Sequence, residues 1–512
     1  MRLFTLIALL ALGSTTQAQT LADGLVQTYE VQASASSGST PLWLNANRYG
    51  LSALSSQNGY ARARVERPLT VDDQKLWGVG YGLDVVLPYH YTSSVIVQQA
   101  YADVRYRHLV ATIGQKEQSM ELKNNRLSSG SQTLGINARP VPGLRLEVPD
   151  YWSIPGTNHW MALRGHIAYG LLTDGSWQRD WTEGQYRYDE DVWLHTKAGY
   201  LRIGPRDAEH PFSMDLGLEM ACEFGGTLYH TAQGTIRGNH GLKALWQAFT
   251  ATGSDEIDPT YHNVGGNQLG SWVARACYDW PMVSWAIYAD HYFEDHSSMF
   301  LTDYDGYGQG ADWNHKASRL FLLYPPKDMM VGTELTLKQL PWIKSLVVEW
   351  MNTRYQSGPI YHDHNPGISD HIGGNDDYCN HYLYHGWSHW GQVMGNPLYR
   401  SPLYNTDQTM QVQSNRFWAW HVGVEGSLPM LARWFDHIDY RLLSSWQRSW
   451  GTYTSPFFAP KRNYSLLAEV TLQPHAEGVW HNCLLKLAYG QDHGQLLGNN
   501  TGMQITLCYR VR

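Results

Sequence analysis

The chain has 512 residues, with 38 Lys and Arg against 46 Asp and Glu and a formal charge of −8. That mild acidity argues against nucleic acid as a partner. The unusual counts are 22 Trp and 33 Tyr, residue types that form girdles at membrane interfaces and that also stack on sugar rings.

Residues 1–18 read as a secretory signal: Arg2 gives the positive start, Leu3 to Leu12 the apolar stretch, and Thr16-Gln17-Ala18 a small-residue cleavage site. The stretch is too short to cross a bilayer as a helix. No Cys follows the cleavage site, which argues against a lipid anchor. Residues 19–512 read as one domain, without a linker, a low-complexity tract or a coiled coil. Residues 19–40 are polar, and the Ser- and Gly-rich run Ser34 to Thr40 fits either a leader strand or a flexible arm.

From Val79 onward, short runs place apolar side chains at every second position, the period of a strand. Val79, Tyr81, Leu83, Val85 and Leu87 alternate with Gly80, Gly82 and Asp84. Met214, Leu216, Leu218, Met220, Cys222 and Phe224 alternate with Asp215, Gly217, Glu219, Ala221 and Glu223. Trp272, Ala274, Ala276 and Tyr278 alternate with Arg275, Cys277 and Asp279, and Val283, Trp285 and Ile287 follow after Pro281. Val331, Thr333 and Leu335 alternate with Glu334. Trp418, Trp420, Val422 and Val424 alternate with His421 and Glu425, and Tyr464, Leu466, Ala468 and Val470 with Glu469. Ile505, Leu507, Tyr509 and Val511 form a closing run against Gln504, Thr506 and Cys508.

The faces between the apolar ones are too polar for a sandwich core. An all-β, transmembrane outer-membrane antiparallel barrel of about 18 strands fits, with lipid outside and a polar interior. Mean hydropathy is negative because each such strand dilutes its apolar residues. Tight turns such as Leu340-Pro341-Trp342 belong to one rim, and long aromatic loops such as residues 356–411 to the extracellular one.

Inward charges, among them Asp215, Glu219, Arg275, Glu334, Glu349, Arg441 and Glu469, either pair to fill the interior or set pore selectivity. Gly241 to Thr252 is the best helix candidate, with Leu242, Leu245, Trp246 and Phe249 at helical spacing; it is expected in a loop or as a rim plug. Pro140, Pro142, Pro149 and Pro155 predict bulges or an inward fold between Arg139 and Ile154. The five Cys show no C-x-x-C spacing and read as packing residues rather than a disulfide framework.

Several phrases in order resemble the Wzi family of capsule-assembly outer-membrane proteins, in its Bacteroidetes form. They include Pro41-Leu42-Trp43-Leu44-Asn45-Ala46-Asn47-Arg48-Tyr49-Gly50, Ile113-Gly114-Gln115-Lys116-Glu117, Leu127-Ser128-Ser129-Gly130 and Asn137-Ala138-Arg139-Pro140. Gly373-Gly374-Asn375-Asp376-Asp377-Tyr378, Gly386-Trp387 and Gly395-Asn396-Pro397-Leu398 follow. The resemblance implies a barrel of about 18 strands. It also implies a lectin-like role, holding capsular polysaccharide at the surface without catalysis. The best-known members carry a helical bundle at the periplasmic end, for which this chain has only a weak helical signal.

The densest site-like segment is Tyr361 to Trp390. His381, His385 and His389 stand four apart, but no recognised zinc spacing is present and Gly373, Gly374 and Gly386 favour a loop. No metal or other cofactor is expected. Binding a hydroxyl-rich polymer needs flat aromatic faces and amide or carboxylate groups. Tyr361, Asn375, Asp376, Tyr384, Trp387 and Trp390 supply these and form the expected glycan platform. Asp290 and Glu294 are the nearest approach to a paired-carboxylate hydrolase site, yet no acid and base can be placed. The expected function is therefore an outer-membrane protein that binds and retains capsular or exopolysaccharide. Its other partners would be outer-membrane lipid and the export machinery. The rival is an outer-membrane pore or glycan transporter.

Overall fold

The computed structural model describes residues 24–69, 76–207, 209–253, 265–295, 300, 302–322, 326–362, 366, 371–429, 435–475 and 481–511. The expected signal lies outside them. Eighteen strands form one sheet in which every neighbouring pair is antiparallel. The first strand, Val26–Ser37, pairs along its length with the last, Asn500–Val511, from Gln27 opposite Val511 to Ser37 opposite Thr501. The sheet is therefore closed, and the Ser-rich start of the chain is wall rather than arm.

Side-chain alternation sets what each face meets. On Phe212–Phe224, Phe212 and Leu216 are exposed while Ser213, Asp215 and Glu219 are buried. On Asn500–Val511, Met503, Ile505 and Leu507 are exposed and Gln504 and Thr506 buried. Exposed apolar side chains on one face of successive strands are a lipid-facing belt, and the polar face lines the interior. This is the fold of an outer-membrane β-barrel. Short turns such as 107–108 and 280–282 share one rim; connections such as 116–142, 225–266 and 353–416 share the other, the extracellular one.

The prolines act as expected. Pro140 and Pro142 end an inward-folded connection, and Pro149 sits where the pairing of Gly143–Ser153 with Met161–Leu171 slips between Val148 and Trp152. All five Cys are free thiols.

The helix candidate forms as Leu242–Thr250 but does not plug the rim. Its small face, Ala244 and Ala248, packs on the outward Cys222 and Phe224, so the helix lies on the outer wall. Leu242 is 86% exposed and Trp246 64%. The outward Lys197 explains part of this placement: its ammonium donates to the carbonyl of Phe249 at the helix C-terminus, where cations are favoured.

Among the described residues, loops rather than a helical bundle fill the lumen. Connection 116–142 crosses it, meeting the wall's carboxylates one by one. Lys123 Nζ lies 2.5 Å from Asp290 Oδ2, and Gln132 N donates to the same oxygen at 3.1 Å. Glu349 accepts from Ser128 Oγ at 2.5 Å, Ser129 N at 2.8 Å and Tyr288 OH at 2.6 Å. Glu219 accepts from Ser131 Oγ at 3.2 Å, and Glu334 from Asn124 Nδ2 at 3.0 Å. Wall charges also pair with each other, as in Arg275 with Glu334 at 2.8 Å and Arg202 with Asp215 at 2.7 Å. Of the two roles open to these inward charges, the structure uses them to fill and fasten the interior.

The strand Phe435–Gly451 records the layers above in alternate residues. Ser445 Oγ accepts from Trp43 Nε1 at 3.1 Å, Gln447 Nε2 donates to Leu398 O at 2.8 Å, and Ser449 Oγ meets Ser414 Oγ at 2.6 Å. Trp43 belongs to a buried helical turn, Leu42–Asn45, that dips in from the first extracellular connection. It joins one apolar cluster with Leu127, Tyr378, Tyr384, Trp387, Tyr399 and Phe417. Burying a polar group without a partner costs several kcal/mol, so polar wall groups buried beneath loops must be met by amides and hydroxyls from those loops.

Candidate functional site at the extracellular rim

The connection that holds the expected glycan platform divides into two parts. Its first part, Ser357–His362 paired with His371–Asn375, forms a small hairpin carrying Tyr361 and ending at the exposed Asn375. Asp376 is half-buried, and its backbone N–H donates to Gln356 O at 3.0 Å. The second part folds into the lumen, where a surface loop was expected. Tyr384 is 3% exposed and donates to Gly225 O at 3.3 Å, and Trp387 is 1% exposed and donates to Thr133 O at 3.0 Å. Their rings are spent on packing. The reason is reciprocity: Thr133 belongs to the inward connection 116–142, whose carbonyls need donors from the layer above.

The three histidines do not converge. His381 Nδ1 accepts from the N–H groups of Leu383 and Tyr384 at 3.2 and 3.3 Å, and burial, with Arg187 nearby, pushes its pKa down to about 3. His389 accepts at Nε2 from Thr173 N at 3.2 Å and donates from Nδ1 to Arg139 O at 3.0 Å. His385 lies 2.8 Å from Asp189 Oδ2; burial works to lower its pKa, and the Asp189 hydrogen bond and charge raise it to about 9. Among the described residues no group of His, Cys, Asp or Glu is arranged to hold a metal. Asp290 and Glu294 are likewise engaged: Glu294 accepts from Cys379 N at 2.8 Å and from Tyr292 OH at 2.9 Å.

Trp390 is different. It is half-buried at the rim, with the Arg139 guanidinium 4.3 Å from its ring centroid. Trp177 lies 6.1 Å from it, and Trp177 stacks on Trp181 at 5.6 Å. Those two sit one turn apart on Gly175–Trp181, a short helix in the connection 172–192. Asp174 ties the helix start to the other loop by accepting from Trp390 N at 2.7 Å. Arg179 and the exposed Tyr186 and Tyr382 stand in the same loops. Burial pushes the Arg139 pKa down to about 10, so it stays charged at neutral pH. The rim thus carries three half-buried indoles, with the buried Arg139 guanidinium held against Trp390 and donating to Thr92 and Ser93; the indole faces suit sugar rings. The sequence reading found Trp390 and missed Trp177 and Trp181, whose i, i+4 spacing after Asp174 was a readable helical signal.

Two comparisons by sequence return nothing: no family model matches, and no curated protein matches. The fold has many solved counterparts. The chain is similar to Wzi of Escherichia coli, described as an outer-membrane protein involved in group 1 capsule assembly and a carbohydrate-binding β-barrel. The TM-score is 0.54 with 12% identity over 96% of this chain and 86% of that one. It also aligns with OprD of Pseudomonas aeruginosa, at a TM-score of 0.45 and 7% identity over 95% and 94% of the two chains. At these identities the likeness is one of fold.

Proposed function

We propose that this protein is a lectin-like anchor that holds capsular or other surface polysaccharide at the outside of the outer membrane, exported by the signal read at residues 1–18. One observation carries the reading: the lumen is filled by hydrogen-bonded loop layers, while a cluster of half-buried indoles remains at the extracellular rim. A filled lumen disfavours the diffusion-pore rival. The described carboxylates nearest to a hydrolase pair are fastened to loop amides and hydroxyls, which disfavours catalysis. The likeness in fold to a carbohydrate-binding barrel supports the same reading.

Trp177, Trp181 and Trp390 would take the sugar faces, with Asn375 and Asp376 at the neighbouring hairpin. Tyr384 and Trp387 would support the platform from below rather than touch the polymer. Each contact is weak, and a long polymer gains affinity by engaging many copies. The test is retention: delete the gene and compare cell-bound with released polysaccharide. Shedding that is restored by the intact gene, but not by a gene carrying Trp177→Ala and Trp390→Ala, is the expected result. Unchanged retention on deletion rejects the reading.

A further inference from the structure

Below the plug, toward the rim of short turns, lies a cavity of about 180 Å³ lined by Arg48, Arg126, Arg441, Lys486 and Glu469. The inward parity of three strands and two dipping loops brings these charges together. Arg441 lies on Phe435–Gly451, Glu469 on Pro456–Pro474 and Lys486 on Cys483–Gly494. Arg48 follows the buried turn Leu42–Asn45, and Arg126 comes from connection 116–142.

The local charges do not cancel. Glu469, 2% exposed, is 3.1 Å from Arg441 Nη2 and 3.8 Å from Arg48 Nη2. Arg126 uses Nε on Glu425 at 2.7 Å. Glu30, farther along the wall, accepts from Tyr60 OH and also acts on Lys486. Four cations therefore face three carboxylates, of which Glu469 alone lines the cavity. Donors are also left over: the buried Nε atoms of Arg48 and Arg441 have no hydrogen-bond partner. Asn47, Asn125 and Ser128 add amide and hydroxyl groups to the lining. The cavity opens beside Arg126, whose side chain is 55% exposed.

A wall of uncompensated guanidinium and ammonium groups in a confined polar space is how proteins recognise oxyanions. Arginine does so by paired N–H donation and lysine as a point charge. We infer that this cavity is an anion site on the turn side of the barrel, taking a phosphate or carboxylate group. The group comes either as a free ion or as the acidic substituent of a saccharide. The site shares no lining residue with the aromatic rim and does not depend on the polysaccharide-holding reading.

The experiment is titration calorimetry on the full barrel in detergent at low ionic strength, with inorganic phosphate, glucuronate and glucose as probes. Lys486→Met and Arg48→Gln are compared with the parent, and retained folding is checked by heat-modified gel migration. Binding of phosphate or glucuronate but not glucose is expected, weakened about tenfold or more in both variants, the loss of one charge-assisted contact. Phosphate alone binding identifies a free-ion site, and glucuronate binding stronger than phosphate identifies an acidic saccharide. Glu469→Gln removes the competing carboxylate and is expected to tighten binding. No binding of either anion by the parent, or equal binding in parent and both folded charge variants, overturns the inference.

Discussion

The fastening of the plug can be tested through a single ion pair. Lys123 and Asp290 are 2% and 0% exposed in their side chains and 2.5 Å apart. Lys123→Met keeps the stem and removes the charge, leaving Asp290 buried with only the Gln132 N–H and the loop around it. Removing one partner of a buried pair costs about 3–5 kcal/mol. Every ~1.4 kcal/mol is tenfold in an equilibrium constant, so a state with connection 116–142 released becomes roughly 100- to 4,000-fold more populated. The barrel wall keeps its own ladder and does not unfold. The assay is single-channel recording on the reconstituted protein, backed by hydrogen exchange at residues 122–133. The parent stays closed; the variant shows brief openings and faster exchange. Lys123→Met combined with Asp290→Leu removes the stranded charge and should recover much of the loss, because an apolar replacement of a buried pair is often neutral. If Lys123→Met is as closed and as protected as the parent, the plug is not held by its wall carboxylates.

The His385–Asp189 pair fastens the upper layer with a definite pH dependence. The folded pKa, about 9, stands above the ordinary 6.5. Its contribution is therefore full below 6.5 and is lost as pH rises through about 9. That difference corresponds to something on the order of 3 kcal/mol. Exchange at residues 378–390, or tryptophan emission, should loosen across that alkaline window, and His385→Gln should flatten the profile; a parent profile flat across it contradicts the assignment. Trp177→Ala and Trp390→Ala should each weaken polysaccharide binding by ~1 kcal/mol or more per repeat contact, read in a sedimentation or retention assay, whereas equal binding would move the platform elsewhere. Burial pushes the Cys379 thiol pKa well up, so maleimide should leave it unlabelled in the folded barrel, and reduction should not change the mass or mobility of a chain whose thiols are all free. Labelling of Cys379 under native conditions would contradict its burial.

The wall was legible in the sequence because a barrel strand answers to two solvents. Lipid demands Met503, Ile505 and Leu507 on one face, and the interior tolerates Gln504 and Thr506 on the other. That local alternation set the face of each run it marked, while the count of about 18 strands came with the family resemblance and not from the runs themselves. The helix at 242–250 was legible for a similar reason, yet its place on the outer wall depends on the distant Lys197, Cys222 and Phe224. The fate of the loops was hidden for the same cause. Nothing local to Trp387 says that Thr133 will accept from it across |i−j| = 254, or that Tyr384 meets Gly225. A run rich in Trp, Tyr and His reads alike whether it faces sugar or a polar lumen. Trp390 remained at the rim while Trp387, three residues earlier, did not.

The seam between Val26–Ser37 and Asn500–Val511 sets the timing of assembly. Gln27 meets Val511 across nearly the full chain, and contacts of such sequence separation are slow to form. Synthesis delivers the opening strand first and its second neighbour last, so one edge stays unsatisfied through most of biogenesis. Unpaired edges of this length invite joining to other chains. A truncation that removes only the final twelve residues of the seam would spare the plug's loops and every rim aromatic, and would still leave two such edges and no cylinder.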